Sequence, residues 1–221
     1  MFRFGWVVQV TSYGLRVTIY MRIIKQKDVK IFDLVKALKQ GKVIVYPTET
    51  CYGLGCDATN QEAVDDLFKI KQRQHNKSVL VLVSGIDMIT RYVDWTPKLE
   101  ELSQKYWPGP LTVVTKIKDG IELPVGVVGQ DNTIAFRITG HHFAYDLCVE
   151  LDGPIVSTSA NITAQKSPYD IKNILEMFKN TKHKPSIIID SGPLPHKNPS
   201  TIVRVIGNNV ELIRQGEIVV D

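Results

Sequence analysis

The sequence has no apolar run of about 18 residues, the length a bilayer demands of a helix, so no membrane span is expected. Cysteine is scarce: Cys51, Cys56 and Cys148 form an odd set without CxxC spacing. That argues against a disulfide scaffold or a ribbon-type zinc site and fits a reducing, cytoplasmic setting. The GxxxxGK[ST] spacing of a P-loop is missing, as are internal repeats, low-complexity tracts and a convincing interdomain linker. Charge of one sign is nearly balanced, since 27 Lys and Arg against 23 Asp and Glu leave a formal net charge of +4. So small an excess does not mark a dedicated nucleic-acid binder, and it would serve a small anionic ligand equally well.

What is present is the composition of a soluble globule. The 221 residues are 43% hydrophobic and 23% charged, which suits one sizeable core and excludes a disordered or fibrous chain. We divide the sequence into residues 1–20, an atypical extension, and a single domain over residues 21–221. The extension carries Arg3 and Arg16, no acid, and neither the apolar core nor the cleavage site of a signal peptide. It reads either as dispensable, with Met21 as the start, or as one added strand.

Periodicity then sketches the elements. Asp28 is expected to cap a helix with Ile31, Leu34, Val35 and Leu38 on one face, and Gly41 to stop it. Asn60 is expected to cap a second, with Ala63, Leu67 and Ile70 inward. Further helices are predicted over 97–106, over 140–151, and from Pro168 to Phe178. Strands are predicted over 42–46, 79–83, 111–116, 133–139, 155–158, 187–190, 201–206 and 210–214. Such a mixture indicates an α/β (α+β) domain with parallel and antiparallel pairings together.

Three stretches carry polar groups where strands end. Thr48 to Gly55 reads either as a ligand-binding loop or as a glycine turn whose Thr hydroxyls cap backbone. Lys71, Arg73 and Lys77 offer phosphate partners, or else form a solvated helix end. Ser157, Ser159 and Asn161 share one side if the chain stays extended, giving neutral donors for phosphate, ribose or carboxylate; an Asn-capped turn is the alternative. His141 and His142 lack metal-ligand spacing, and Cys51 has no partner base in view.

Taken together, these segments resemble the YrdC-like family, whose members include threonylcarbamoyl-AMP synthases. The resemblance rests on residues 46–55 (YPTETCYGLG), Asp57-Ala58, Lys71-Gln72-Arg73, residues 107–112 (WPGPLT) and Phe136-Arg137-Ile138. It continues through residues 157–161 (STSAN), Asp190-Ser191-Gly192, residues 199–203 (PSTIV) and Arg214-Gln215-Gly216. It spans about residues 24–217. Departures are Gln74 and Ser78, where many members carry Pro, and Leu82, where some longer members carry a threonine-contacting His.

The resemblance implies an open, twisted mixed sheet flanked by helices, with a deep positively charged cavity. It implies synthesis of L-threonylcarbamoyladenylate and pyrophosphate from L-threonine, bicarbonate or CO2, and ATP with Mg2+, for N6-threonylcarbamoyladenosine (t6A37) formation in tRNA. By the same resemblance, Lys71, Arg73, Ser159 and Asn161 are the catalytic set. ATP would also meet Lys77, Thr133, Ser167 and Arg214, and threonine would meet Thr50, Arg137, Ser157 and Ser200. No protein-held metal is expected, because Mg2+ would ride on the ATP phosphates. Expected partners are a downstream threonylcarbamoyl-transfer complex of the TsaD type with its helper proteins and a weak tRNA contact, with no membrane. The alternative is a non-catalytic double-stranded RNA/tRNA-binding or assembly factor on the same scaffold.

Overall fold

Branched apolar runs and amphipathic runs alternate along the chain, and most take the conformation their period favours. The computed structural model describes residues 21–221 apart from Asn76; residues 1–20, read above as an extension or an added strand, lie outside the described residues. In order come β1 (Arg22–Lys25), α1 (Ile31–Lys39), β2 (Ile44–Pro47), β3 (Tyr52–Gly55), α2 (Gln61–Lys71) and β4 (Leu80–Val83). Then follow α3 (Ile86–Ile89), α4 (Pro97–Tyr106), β5 (Leu111–Lys116), β6 (Thr133–Ile138) and α5 (His142–Leu151). The chain continues with β7 (Ile155–Val156), β8 (Thr158–Ser159), α6 (Ile171–Phe178), β9 (Ile187–Asp190), β10 (Thr201–Ile206) and β11 (Asn209–Arg214).

The strands build the expected mixed architecture in two hydrogen-bonded portions. Five lie in the order β1-β9-β2-β3-β8 and six in the order β11-β10-β5-β6-β4-β7. Each portion combines parallel and antiparallel neighbours. They meet at Ser157, because Val156 pairs with Val81 of one portion while Thr158 pairs with Leu54 of the other. The single strand expected over 155–158 is therefore split. Ser157 N–H donates to Leu80 O at 2.9 Å and Ala160 N–H donates to Tyr52 O at 2.8 Å, so one short segment serves two ladders.

Helices cover these strands by their apolar stripes. Leu34, Val35 and Leu38 of α1 meet Phe143, Ala144, Leu147 and Leu151 of α5 over Tyr46, Leu82 and Ile189. The larger core gathers Ala63, Val64, Leu67 and Phe68 of α2 with the inner residues of β3 to β6 and β10. Asn60 caps α2 as expected, its Oδ1 accepting from Ala63 N–H at 3.1 Å. Asp28 does not cap α1. It sits in a short 3-10 turn over Gln26–Asp28, and Lys30, which has no side-chain acceptor, takes the N-cap position. Likewise α6 is capped by Asp170, accepting from Asn173 N–H at 2.7 Å, while the Pro168 carbonyl is held by Tyr52 N–H at 3.1 Å.

Gly53 and Gly55 are strand residues rather than turn residues, and packing explains Gly55. A Cβ there would stand 2.3 Å from Val156 O and 2.7 Å from Tyr46 Cε1. Glycine thus lets the β7 backbone and the Tyr46 ring close onto β3. Gly55→Ala is expected to cost about 3 kcal/mol, the upper part of the usual overpacking range. Thermal unfolding should show a melting temperature roughly 6–12 °C lower. A melt indistinguishable from the wild type would contradict the close approach.

Candidate active site

Strand alternation sends one set of side chains inward and its complement into a cavity. On β5, β6 and β10, Leu111, Val113, Ile134, Phe136, Val203 and Val205 enter the core. The opposite face presents Thr112, Val114, Thr133, Ala135, Arg137, Ile202 and Arg204 to a cavity of about 700 Å³. Its wall is completed by Thr48, Thr50, Cys51, Arg73, Lys77, Ser157, Ser159, Ser200, Arg214 and their neighbours. Among the described residues, five cationic side chains line it, Arg73, Lys77, Arg137, Arg204 and Arg214, with one acid, Asp131. Of the expected site residues, Thr50, Arg73, Lys77, Thr133, Arg137, Ser157, Ser159, Ser200 and Arg214 reach this wall. Lys71, Asn161 and Ser167 are not part of it.

The loop before β3 divides its two threonines by task. Thr48 Oγ1 donates to Cys51 O at 2.7 Å and accepts from the backbone N–H groups of Thr50 at 3.2 Å and Cys51 at 3.3 Å. Thr48 therefore makes the turn, as the capping reading anticipates, and Thr50 is left on the cavity wall. Cys51 lies there too. Burial pushes its thiol up against the opposing pull of Arg137, which disfavours the thiolate that a nucleophile needs.

Lys71 and Arg73 are separated by Gln72, whose φ of 51° ends α2 in the left-handed region. Lys71 consequently turns inward. Its Nζ donates to Ser159 O at 2.6 Å, Asn161 O at 2.9 Å and Asn161 Oδ1 at 3.2 Å, engaging all three ammonium donors. Its own carbonyl accepts from Thr163 N–H at 3.0 Å and Thr163 Oγ1 at 2.9 Å. Burial, helped by the neighbouring Arg73 charge, lowers the ammonium to about 8. Asn161 Oδ1 also accepts from Ser159 Oγ, and Asn161 Nδ2 donates to Gln165 O. Lys71 thus holds the 159–163 loop from behind the wall.

Arg73 turns toward the cavity. Its Nη2 donates to Lys77 O at 2.8 Å and Ser78 O at 3.0 Å, which fixes the loop that carries Lys77. Its Nε is buried without a partner among the described residues. Across the cavity, Arg214 Nη2 donates to Ser200 O at 2.7 Å, and Ser200 Oγ and Thr112 Oγ1 are 2.8 Å apart. Thr133 Oγ1 donates to Asp131 Oδ1 at 2.6 Å, and Asp131 Oδ2 lies 3.1 Å from Arg204 Nη1. Ser167 lies near Cys51 and pulls against the upward shift of its thiol.

Arg137 is 3% exposed, on β6. Its ion-pair partner among the described residues is Glu49, with Nε 3.5 Å from Oε1, close enough for an ion pair and too far for a good hydrogen bond. Neither atom has a hydrogen-bond partner among the described residues. Burial would raise the Glu49 carboxyl. The Arg137 charge, with the N–H groups of Glu49 and Gly140 and the Thr139 hydroxyl, outweighs burial and holds it below the usual carboxylate range. Sequence reading missed Glu49, and equally Thr112, Asp131 and Arg204; the one available signal for Glu49 was a lone acid between two threonines after an apolar strand.

Leu82, at the position of the family's variable His, is fully buried in the smaller core, and Ser78 lies on the cavity wall. Burial pulls the His141 imidazole down, and its Nδ1 is unpartnered among the described residues. No three His, Cys, Asp or Glu side chains gather into a metal-ligand cluster among the described residues. The three cysteines are free thiols, and no described helix is long and apolar enough to cross a membrane.

Comparison with known proteins identifies the scaffold. Residues 36–216 match the Sua5, YciO and YrdC family, described as telomere recombination. The chain belongs to that family. Within the Sua5/YciO/YrdC family, the threonylcarbamoyl-AMP synthase of Coxiella burnetii (strain RSA 493 / Nine Mile phase I) is 39% identical over 176 residues, covering 78% of this chain and 90% of that protein. The threonylcarbamoyl-AMP synthase of Vibrio vulnificus (strain YJ016) is 33% identical over 173 residues, 72% of this chain and 92% of the relative. Among solved structures, P. abyssi Sua5 complexed with L-threonine superposes with a TM-score of 0.78 at 28% identity over 89% of this chain. The chain covers 57% of that longer protein. E. coli YciO, at 22% identity, shares the fold with a TM-score of 0.76 over 90% of this chain and 96% of its own. The chain is thus homologous to threonylcarbamoyl-AMP synthases.

Proposed function

We propose that this protein makes threonylcarbamoyl-AMP from L-threonine, bicarbonate or dissolved CO2, and ATP, releasing pyrophosphate. The observation that carries this reading is Arg137, a buried guanidinium on the wall of a hydroxyl-lined cavity with a single loose ion-pair partner. A carboxylate ligand would complete its planar fork, and a relative of this fold has been solved with L-threonine.

In this reading Arg137 takes the threonine carboxylate, with Thr50, Ser157 and Ser200 reading its polar groups. The amine adds to the carbon of bicarbonate and loses water, giving a carbamate. That anion decomposes readily in water, so a walled cavity favours it. A carbamate oxygen attacks the α-phosphorus of ATP, the bond to the β-phosphate oxygen breaks, and pyrophosphate leaves. The chemistry asks for alignment and charge stabilisation more than for a covalent nucleophile. Arg73, Lys77 and Arg214 would hold the phosphates, Mg2+ arriving with them, and Thr133, Ser159, Asn161 and Ser167 would orient the nucleotide. Lys71, whose donors are all engaged, would act by holding the Ser159 to Asn161 loop.

The labile product would pass to a TsaD-type transfer complex that modifies tRNA, in the cytoplasm, with at most a weak tRNA contact here. The rival is an RNA-binding or assembly factor. Pure protein incubated with α-labelled ATP, Mg2+, threonine and bicarbonate should yield pyrophosphate and an AMP-containing product. Omitting either threonine or bicarbonate should stop it, no ADP should form, and no tRNA should be needed. Threonine-independent ADP release, or tight RNA binding without nucleotide turnover, would overturn the proposal.

A further inference from the structure

The cavity's cations fall into two electrostatic classes. Arg137 has Glu49 at 3.5 Å and Arg204 has Asp131 at 3.1 Å. Arg73, Lys77 and Arg214 have no carboxylate within ion-pair distance among the described residues. One part of the wall therefore carries uncancelled positive charge, while Arg137 is nearly neutralised. Glu49 is not among the wall residues; its Oε1 meets Arg137 at the Nε end, and Thr139 Oγ1 donates to its Oε2 at 2.9 Å.

This arrangement addresses a problem of discrimination. A guanidinium fork accepts phosphate and carboxylate with equal ease, and the two substrates assigned to this cavity present both groups. A polyphosphate carries several negative charges and an amino-acid carboxylate only one. An uncancelled Arg137 would recruit the polyanion, through a Coulomb energy that scales with the ligand's charge. With a half-buried carboxylate 3.5 Å from its Nε, the same fork keeps its hydrogen-bond geometry but offers little net charge.

We infer that Glu49 is a positioning and specificity-determining residue that aims Arg137 and cancels its charge, so that Arg137 accepts a monoanionic carboxylate and rejects polyphosphate. The inference rests on the reading of Arg137 as the amino-acid carboxylate partner. Glu49 acts through Arg137 and touches no substrate. It also accounts for a half-buried acid placed beside a cavity whose wall carries mainly cations.

The test uses calorimetric titration of the full chain with inorganic tripolyphosphate and, separately, with L-threonine. Glu49→Gln, which keeps shape and removes charge, is expected to bind tripolyphosphate at least roughly tenfold more tightly than the wild type. Tripolyphosphate should then compete with threonine in that variant and not in the wild type. Adding Arg137→Met to Glu49→Gln should return the tripolyphosphate affinity to the wild-type value. Glu49→Asp keeps the charge and should stay within about twofold of wild type for tripolyphosphate, and Glu49→Ala, which also removes the charge, should show the same gain as Glu49→Gln and preserves the test if the Gln variant folds poorly. Equal tripolyphosphate affinity in wild type and Glu49→Gln would overturn the inference, and so would a gain that survives the loss of Arg137. Failure of the wild type to bind threonine would instead remove the functional reading, because the tripolyphosphate comparison is made without threonine.

Discussion

Arg137→Met is expected to raise the KM for threonine at least about thirtyfold, because truncating one partner of a buried charge pair typically costs about 2–5 kcal/mol. The KM for ATP should change far less, since the phosphates are assigned to Arg73, Lys77 and Arg214. A second consequence is internal to the protein. Glu49 would be left buried beside a thioether, with only Thr139 and backbone N–H groups to hold it. The variant should therefore be less stable at neutral pH, and Glu49→Gln in the same chain should restore stability without restoring threonine binding. Steady-state kinetics and thermal melts of the single and double variants check both statements. A threonine KM within about threefold of wild type, less than about 0.7 kcal/mol, would remove Arg137 from the site.

Lys71→Met should lower product formation by about tenfold or more. It orphans Asn161 O, at a cost of about 1–3 kcal/mol for a buried acceptor left without a donor, and takes one of two donors from Ser159 O and Asn161 Oδ1, which keep Asn161 N–H and Ser159 Oγ. The distinguishing feature is what fails along with the rate. A residue that grips a loop loses every ligand the loop touches, so the KM values for ATP and threonine should rise together, through Ser159 and Ser157. Amide exchange over residues 157–165 should quicken in the free protein, before any ligand is added. An ATP-specific defect with unchanged loop protection would return Lys71 to direct phosphate contact, the role its pairing with Arg73 in sequence implied.

That pairing shows why the sequence takes a reader only part of the way. Lys71 and Arg73 look like one cluster because they are two positions apart, yet the left-handed backbone at Gln72 sends one inward and the other to the cavity. Conformations of that kind leave little trace in residue type, since Gln is not a residue that favours them. Elements with strong local signals were legible: α2 from its Asn60 cap, α4 from Pro97 onward, and β5 and β10 as runs rich in branched residues. β1 is four residues with only Ile24 partly covered, too short to stand out. β3 was hidden by its own glycines, which signal turns locally and close packing only when Val156 and Tyr46 are known to lie above them.

The site divides along the same line. Thr50, Arg137, Ser157 and Ser200 were named through family motifs; alternation on β6 turns Arg137 to the wall, and the others reach it from segments next to β3, β7 and β10. Glu49 against Arg137 and Asp131 against Arg204 were not legible, because each pair joins segments that only the sheet brings together. Charge compensation is a property of tertiary structure, and no spacing rule reports it.

The most direct test of the account is the mass of the nucleotide product formed by the purified protein from ATP, Mg2+, L-threonine and 13C-labelled bicarbonate. The account predicts an AMP adduct containing threonine and the labelled carbon, heavier by a single mass unit than the product from unlabelled bicarbonate, with pyrophosphate as the co-product. An adduct of AMP and threonine without the labelled carbon, or ADP in place of any AMP adduct, would contradict it.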